Sequence, residues 1–398
     1  MISLRLVQVS LLALCGLGLA QDLSVDPNWR KPYNSRPKWE RVEIAQHAIN
    51  AMLLQRDPAA GEFYGIGYWQ SANAWSAMAL QDQITQSTTN KDEVVKYLNL
   101  VFAKYNGYDA YGTTTTLSGG LRLACTLTKP TENPSCCSTP LQSGTPLRHS
   151  DVITEEQALS GKSPVKDFTL LSTCDGATMA GGVFWRPNRD DQSLNSITNG
   201  LSAYLAELTG DLKYKDAAII GAAWIKNHNI DSENIVLNSE SAADCTRSPA
   251  SWIYSYNAGK FIEGLSVLTD VTKDDAWYQL MLSVIAASVK NSAWQESNGI
   301  INQGSDSTSH TDIVGFKAIF VRGLFEASRR SPGNEKLINL IHSYVDVQYN
   351  AILDLARNGT SYGADWRGPR PTEFSSLGQL AALDVLSAAI ETNANQDA

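Results

Sequence analysis

Apolar positions recur every three or four residues in segment after segment of this chain. Val42, Ala45, Ile49, Met52 and Leu53 share one helical face, and Ile197, Leu201, Tyr204, Leu205 and Leu208 share another. The same spacing predicts helices over 72–83, 91–104, 212–228, 257–270, 275–291, 313–328, 334–352 and 374–391; in the last, Leu377, Leu380, Leu383, Leu386 and Ile390 mark one face. Residues that end helices stand between them: Thr209-Gly210-Asp211, Asn298-Gly299, Ser331-Pro332-Gly333-Asn334 and Gly368-Pro369. Strand-like alternation is nearly absent. Ten long amphipathic helices joined by short turns predict an all-α chain, an α/α toroid in which inner and outer helices alternate.

A ring of six helical hairpins needs more helices than these ten, and the deficit falls in one place. Residues 113–150 contain no Val, Ile, Met, Phe, Trp or Tyr, but nine Thr, four Pro and three Cys. A structureless loop of that length is uncommon inside a compact domain, and a Ser/Thr/Pro-rich stretch carrying O-glycans is the other plain reading. A third reading is translation in the wrong frame. Joining the last base of each codon to the first two of the next, Gly112 to Gly120 permits Asn-Asp-Asp-Asp-Ala-Leu-Trp-Trp, because Thr codons fix AC and Gly codons fix GG in the new triplets. Leu127 to Glu132 and Ser135 to Thr145 likewise permit apolar, aromatic-bearing helical sequence around a glycine turn. Residues 113–150 therefore read as an aberrant, frame-shifted segment in which one or two helices are lost.

Composition narrows the function classes. Formal net charge is −9 and no block of Lys or Arg is present to neutralise a phosphate backbone, which argues against nucleic acid as partner. The first twenty residues run from Arg5 through an apolar Leu11–Leu19 stretch to Gly18-Leu19-Ala20, the pattern of a secretory signal peptide. No later stretch approaches the roughly 20 apolar residues a membrane span needs, and no hydrophobic tail for a lipid anchor follows Asn393. A secreted, extracellular or wall-associated monomer is the expectation. Ten Trp and fifteen Tyr among only 18% charged residues suit a protein that stacks flat rings on sugars, although most large aromatics are core. Cys15 leaves with the signal and Cys125, Cys136 and Cys137 lie in the aberrant segment, so Cys174 and Cys245 remain as one disulfide. The five His are scattered, no zinc-like spacing exists, and neither a metal nor an organic cofactor is called for. Asn358-Gly359-Thr360 is an N-glycosylation sequon.

Several motifs in fixed order then carry a resemblance. Tyr68-Trp69-Gln70 and Asn73-Ala74-Trp75 come first, followed by Cys174-Asp175-Gly176 with Gly181-Gly182-Val183-Phe184-Trp185. Next stand Trp252, Tyr254 and Tyr256-Asn257-Ala258-Gly259, where Ala258 occupies a position usually held by Gln. Asn298-Gly299-Ile300, Asp312 and Phe316-Lys317-Ala318-Ile319-Phe320-Val321-Arg322 complete the set. From about residue 40 to 390 the chain resembles the fungal α-1,6-mannanase-like branch of glycoside hydrolase family 76, of the six-hairpin glycosidase type. The resemblance implies a single domain over 21–398, an (α/α)6 barrel with a sugar cleft, and retaining chemistry on α-1,6-linked mannan or mannoprotein.

Such chemistry needs two carboxyl groups, and in the family these are adjacent aspartates just before a pair of aromatics. The matching place here holds Thr114 and Thr115, whose hydroxyls cannot stand in for a carboxylate nucleophile without an activating base. No catalytic pair is identifiable in the chain as written. Asp190-Asp191 is a decoy that reads as the charged start of a helix, and Asp274-Asp275 opens the Trp277 helix. Expected substrate contacts are Trp69, Trp75, Trp185, Tyr256, Asn257, Asp312 and Lys317. Trp69 and Trp75 are equally compatible with core packing. Asp312 is sufficiently explained as a helix N-cap, Arg322 as a salt-bridge partner, and Lys317 either as a rim lysine or as a partner for a sugar hydroxyl or carboxylate. The runner-up reading is a non-catalytic mannan-binding or wall protein that keeps the cleft. A six-hairpin epimerase or lyase is disfavoured by the scarcity of His.

Overall fold

A computed structural model describes residues 21–105, 152–199, 206–207, 210–305 and 312–392. The proposed signal peptide, the 113–150 segment with Thr114 and Thr115, and the middle of the 197–208 helix lie outside the described residues.

Within them the helical reading holds. Helices α1 (Lys38–Leu53), α2 (Tyr68–Thr85) and α3 (Lys91–Lys104) are followed by two short ones, α4 (Glu155–Ser160) and α5 (Ser196–Asn199). Then come α6 (Leu212–His228), α7 (Ser255–Thr272), α8 (Asp275–Ser288), α9 (Ile313–Arg329), α10 (Glu335–Leu355) and α11 (Ser376–Ala388). Their ends are set by side chains as the sequence suggests. Asp274 accepts from Ala276 N at 2.9 Å and starts α8, and Asn334 accepts from Leu337 N at 3.1 Å and starts α10. Unforeseen was α4, which opens with a capping box: Thr154 and Gln157 bond reciprocally to each other's backbone.

Burial sorts the helices into two rings. α7 is buried without a gap from Ser255 to Leu268, and α11 along its whole length. By contrast α3 buries only the stripe Val94, Tyr97, Leu98 and Val101. A helix buried on every face belongs inside, and one that buries only a stripe belongs on the outer wall. The inner helices pack in the order α5, α7, α9, α11, α2, so the last helix of the chain joins the first hairpin; α1, α3, α6, α8 and α10 lie behind them. The inner wall is tight where α7 meets α9. A Cβ on Gly259 would stand 2.5 Å from the Phe320 Cα, and one on Gly323 only 2.0 Å from the Gly259 carbonyl oxygen, so only glycine permits this approach.

A buried ion pair ties α9 to α11 at the centre of the wall. Arg322 grips Asp384 bidentately at 2.9 and 2.8 Å and also donates to the Asn73 side chain on α2 at 3.0 Å. Burial pushes the Asp384 carboxyl up while the guanidinium pulls it back. Arg322→Ala is expected to destabilise the fold by about 3–5 kcal/mol, because the buried Asp384 then loses the guanidinium that is hydrogen-bonded to both its oxygens. The apolar pair Arg322→Met with Asp384→Leu should lose much less; urea denaturation of both variants checks it.

Among the described residues, three antiparallel pairs of very short strands decorate the mouth and rim: β1 (Thr173–Cys174) with β2 (Ala177–Thr178), β3 (Ser193–Asn195) with β4 (Ser239–Ser241), and β5 (Arg357–Asn358) with β6 (Ser361–Tyr362). Asp175 and Gly176 make the first turn, both at positive φ. The sequon Asn358 is exposed at the third turn. Cys174 and Cys245 are disulfide-bonded as expected, joining the β1–β2 hairpin to the loop after β4 across 71 residues. Beside the disulfide, His228 contacts Glu240 at 2.7 Å and the Thr178 carbonyl at 2.9 Å, pinning β2, β4 and α6 together.

Candidate active site

Each hairpin reverses the chain, so the inner helices run parallel and their N-terminal turns collect at one mouth. A second apolar cluster, separate from the main core, sits there. Ile197 of α5, Tyr256 of α7, and Phe316 and Ile319 of α9 form it, with Trp69, Trp185, Tyr254 and Ile313 packed against them. Tyr256 and Phe316 stack at 4.0 Å between ring centroids, nearly parallel. Tyr254 meets Phe316 at 5.4 Å and Trp69 meets it at 6.0 Å. Trp69, Trp185 and Tyr254 are half-buried and present ring surface at the mouth.

Polar groups frame this floor. Asn238, just before β4, accepts from Tyr256 Oη at 3.3 Å, Asn257 Nδ2 at 3.1 Å and Asn195 Nδ2 at 3.4 Å. Its place depends on the β3–β4 register, which sets Asn195 opposite Ser239. Trp185 is held to the same strand through its N–H to the Ser193 carbonyl at 2.9 Å. Burial pushes the Tyr256 phenol up, which keeps it a neutral hydrogen-bonding group. Among the described residues, Asn257 Oδ1 and Gln70 Oε1 are buried acceptors without a donor. Gly67 makes room for Gln70, since a Cβ there would stand 2.6 Å from Gln70 Oε1.

Of the residues singled out from sequence, Trp69, Trp185, Tyr256 and Asn257 come together at this mouth. Trp75 does not. It is 1% exposed, donates to the Gly61 carbonyl at 2.8 Å and stacks on Tyr97 at 5.3 Å, so it has no free face for a sugar. Asp312 is exposed at the rim, but its backbone is helical and its side chain caps nothing; it accepts from Gln70 Nε2 at 2.6 Å instead. Asp190 and Asp191 lie in the turn before β3 and not at a helix start, and Asp191 bonds Ser193 N at 3.2 Å.

Lys317 departs from both expectations for it. The side chain is fully buried and does not reach the rim. It donates to the carbonyls of Ala364 and Gly304 and lies 4.5 Å from the centre of the Trp366 ring. Burial lowers its ammonium to about 7; the nearby Asp365 charge opposes that and Arg367 adds to it. Asn238 and Gln70 were missed as site residues. Gln70 lies inside the Tyr68-Trp69-Gln70 motif, whereas Asn238 carries no local signal and reaches the mouth only through strand pairing.

With this geometry in view, comparison with known proteins is informative. The model of glycosyl hydrolase family 76 matches residues 168–397. Mannan endo-1,6-alpha-mannosidase DCW1 of Candida glabrata is 27% identical over 235 residues, which cover 55% of this chain and 51% of that protein. The chain thus spans about half the length of this curated relative. Among solved structures, an inactive variant of the α-1,6-mannanase GH76A of Salegentibacter sp. HEL1_6, with two neighbouring aspartates replaced and α-1,6-mannotetrose bound, superposes with a TM-score of 0.70. It is 16% identical, over 88% of this chain and 98% of that one. Dfg5 from Chaetomium thermophilum in complex with glucosamine gives 0.63 at 17% identity, over 90% and 92%. The structures share the helical toroid, and the family match covers more than half of the sequence: the chain belongs to glycosyl hydrolase family 76.

Proposed function

We propose that this protein is built as an exported glycosidase acting inside α-1,6-linked mannan by a retaining, two-carboxylate mechanism. The observation that carries this reading is the aromatic floor at one mouth of the toroid, formed by the first turns of α2, α7 and α9, in a chain of family 76. Flat, half-exposed indole and phenol faces suit the C–H faces of pyranose rings, and Asn257 and Asp312 stand where sugar hydroxyls would need partners. The solved mannanase complexed with an α-1,6-linked oligosaccharide, and the Candida relative, support the substrate class. In a retaining mechanism one carboxylate attacks the anomeric carbon while the other protonates the leaving oxygen, the two roughly 5 Å apart across the scissile bond.

We assign that pair to the positions now held by Thr114 and Thr115, so that the chain as written keeps the cleft and lacks both acids. A second reading follows from those threonines alone: a mannan-binding protein that does not cut. The separating experiment uses two proteins, the chain as written and the chain translated from a resequenced transcript across codons 110–152. Reducing-end release from linear α-1,6-mannan by the second protein is the expected result. Should the transcript confirm the threonines and the product bind mannan without release, the binding reading replaces the enzyme.

A further inference from the structure

Asn358-Gly359-Thr360 is the single Asn-X-Ser/Thr triplet of the chain in which X is not proline; Asn133-Pro134-Ser135 is excluded by its proline. The fold sets this triplet where a bulky group has room. Asn358 pairs with Ser361 across β5 and β6, so Gly359 and Thr360 alone form the turn between the strands. All three residues of the triplet are exposed, and a Cβ built on Gly359 would meet no atom within 4 Å. None of them belongs to the aromatic floor.

The turn is held from beneath. Arg357 Nε donates to the Gly359 carbonyl at 2.7 Å, and Gln379, in the first turn of α11, donates to the Thr360 carbonyl at 3.1 Å and to the Ala48 carbonyl of α1 at 2.8 Å. The hairpin therefore stands at the mouth end of the toroid, where α1, α10 and α11 meet. Asn358 Nδ2 donates one hydrogen to the Pro371 carbonyl at 3.0 Å, and a side-chain amide carries two, so the second can be exchanged for a sugar without breaking that bond. The Cys174–Cys245 disulfide suits the same oxidising, secretory compartment in which such sugars are attached. We infer that Asn358 carries an N-linked glycan. Its amide nitrogen bonds to C1 of an oligosaccharide supplied on a lipid diphosphate, the C1–O bond to the diphosphate breaks, and the nitrogen gives up one proton. This inference rests on the exported reading above and adds to it a modification site outside the mouth's aromatic floor.

Expression of the full chain as written in a eukaryotic secretory host tests it, once with its own residues 1–20 and once with a leader of proven function in their place. An amidase that removes N-glycans, applied to lysate and medium, should lower the apparent mass by one glycan and leave an aspartate at position 358, read by peptide mass spectrometry. Asn358→Gln and Thr360→Ala should each abolish the shift, and Thr360→Ser should keep it. Thr360→Ala leaves Asn358 and its bond to Pro371 in place, so a loss there does not come from a disturbed turn. A glycan seen only with the substituted leader supports the site and overturns export by the chain's own first twenty residues. Unmodified Asn358 with both leaders overturns the inference while the mannan reading stands, as does a shift that survives Asn358→Gln.

Discussion

Protein translated as written is expected to release reducing ends from linear α-1,6-mannan at least about 10⁴-fold more slowly than protein translated from the frame-corrected transcript, which carries the aspartate pair. The reason lies in charge. The departing sugar oxygen needs a proton as its bond breaks, and the anomeric carbon needs an anionic oxygen to receive it as positive charge develops. A threonine hydroxyl is neutral and a poor acid near neutral pH, so it supplies neither. Removing one carboxylate of such a pair disables one half of the reaction; removing both leaves positioning by the aromatic floor alone. Time courses of reducing-end release by the two proteins at equal concentration measure the ratio. A ratio near one would move the acids elsewhere. Among the described residues, Asp190 and Asp191 are poor substitutes, since they stand in a turn outside the aromatic floor.

The helices were readable because burial forces periodicity. An outer helix such as α3 must show a stripe, whereas an inner one such as α11 is buried on every side, so that even its polar residues Gln379 and Asp384 lie inside. The short strands carried no such signal, because a pair of two residues cannot alternate. The site was partly readable for a related reason. Trp69 and Trp75 look equivalent in sequence, yet one lies at the second residue of α2 and the other two turns deeper, so depth from the helix start separates platform from core. Asp312 misled because an acidic residue before an apolar helix reads as a cap, whereas a cap needs extended backbone and Asp312 has helical dihedrals, φ −56 and ψ −24. Asn238 was beyond reach, since strand pairing places it and no neighbouring residue announces that.

Lys317 shows the same gap from the energetic side, and its replacement should change how stability depends on pH. A lysine ammonium titrates near 10.5 in an unfolded chain and near 7 in this buried place. Between those values the unfolded chain binds one proton more than the folded one, so stability rises with pH across the window, by up to about 1.4 kcal/mol per unit and about 5 kcal/mol in all. Below about 7 both states are charged and the folded state carries the full penalty of burial. The carboxyl that acts on the amine does not titrate there: hydrogen bonds from Arg367 help hold Asp365 below its ordinary range. Glu263, which burial raises to about 8, contributes an opposite slope below that pH, and comparison with a variant cancels it. Lys317→Met should therefore lose the gain in stability that wild type shows from pH 7 to 10. Its absolute stability also bears the loss of donors to the Ala364 and Gly304 carbonyls, so the slope is the cleaner readout. Urea midpoints at pH 6.5, 8 and 9.5 for both proteins measure it, and parallel profiles would show that this lysine keeps its proton throughout.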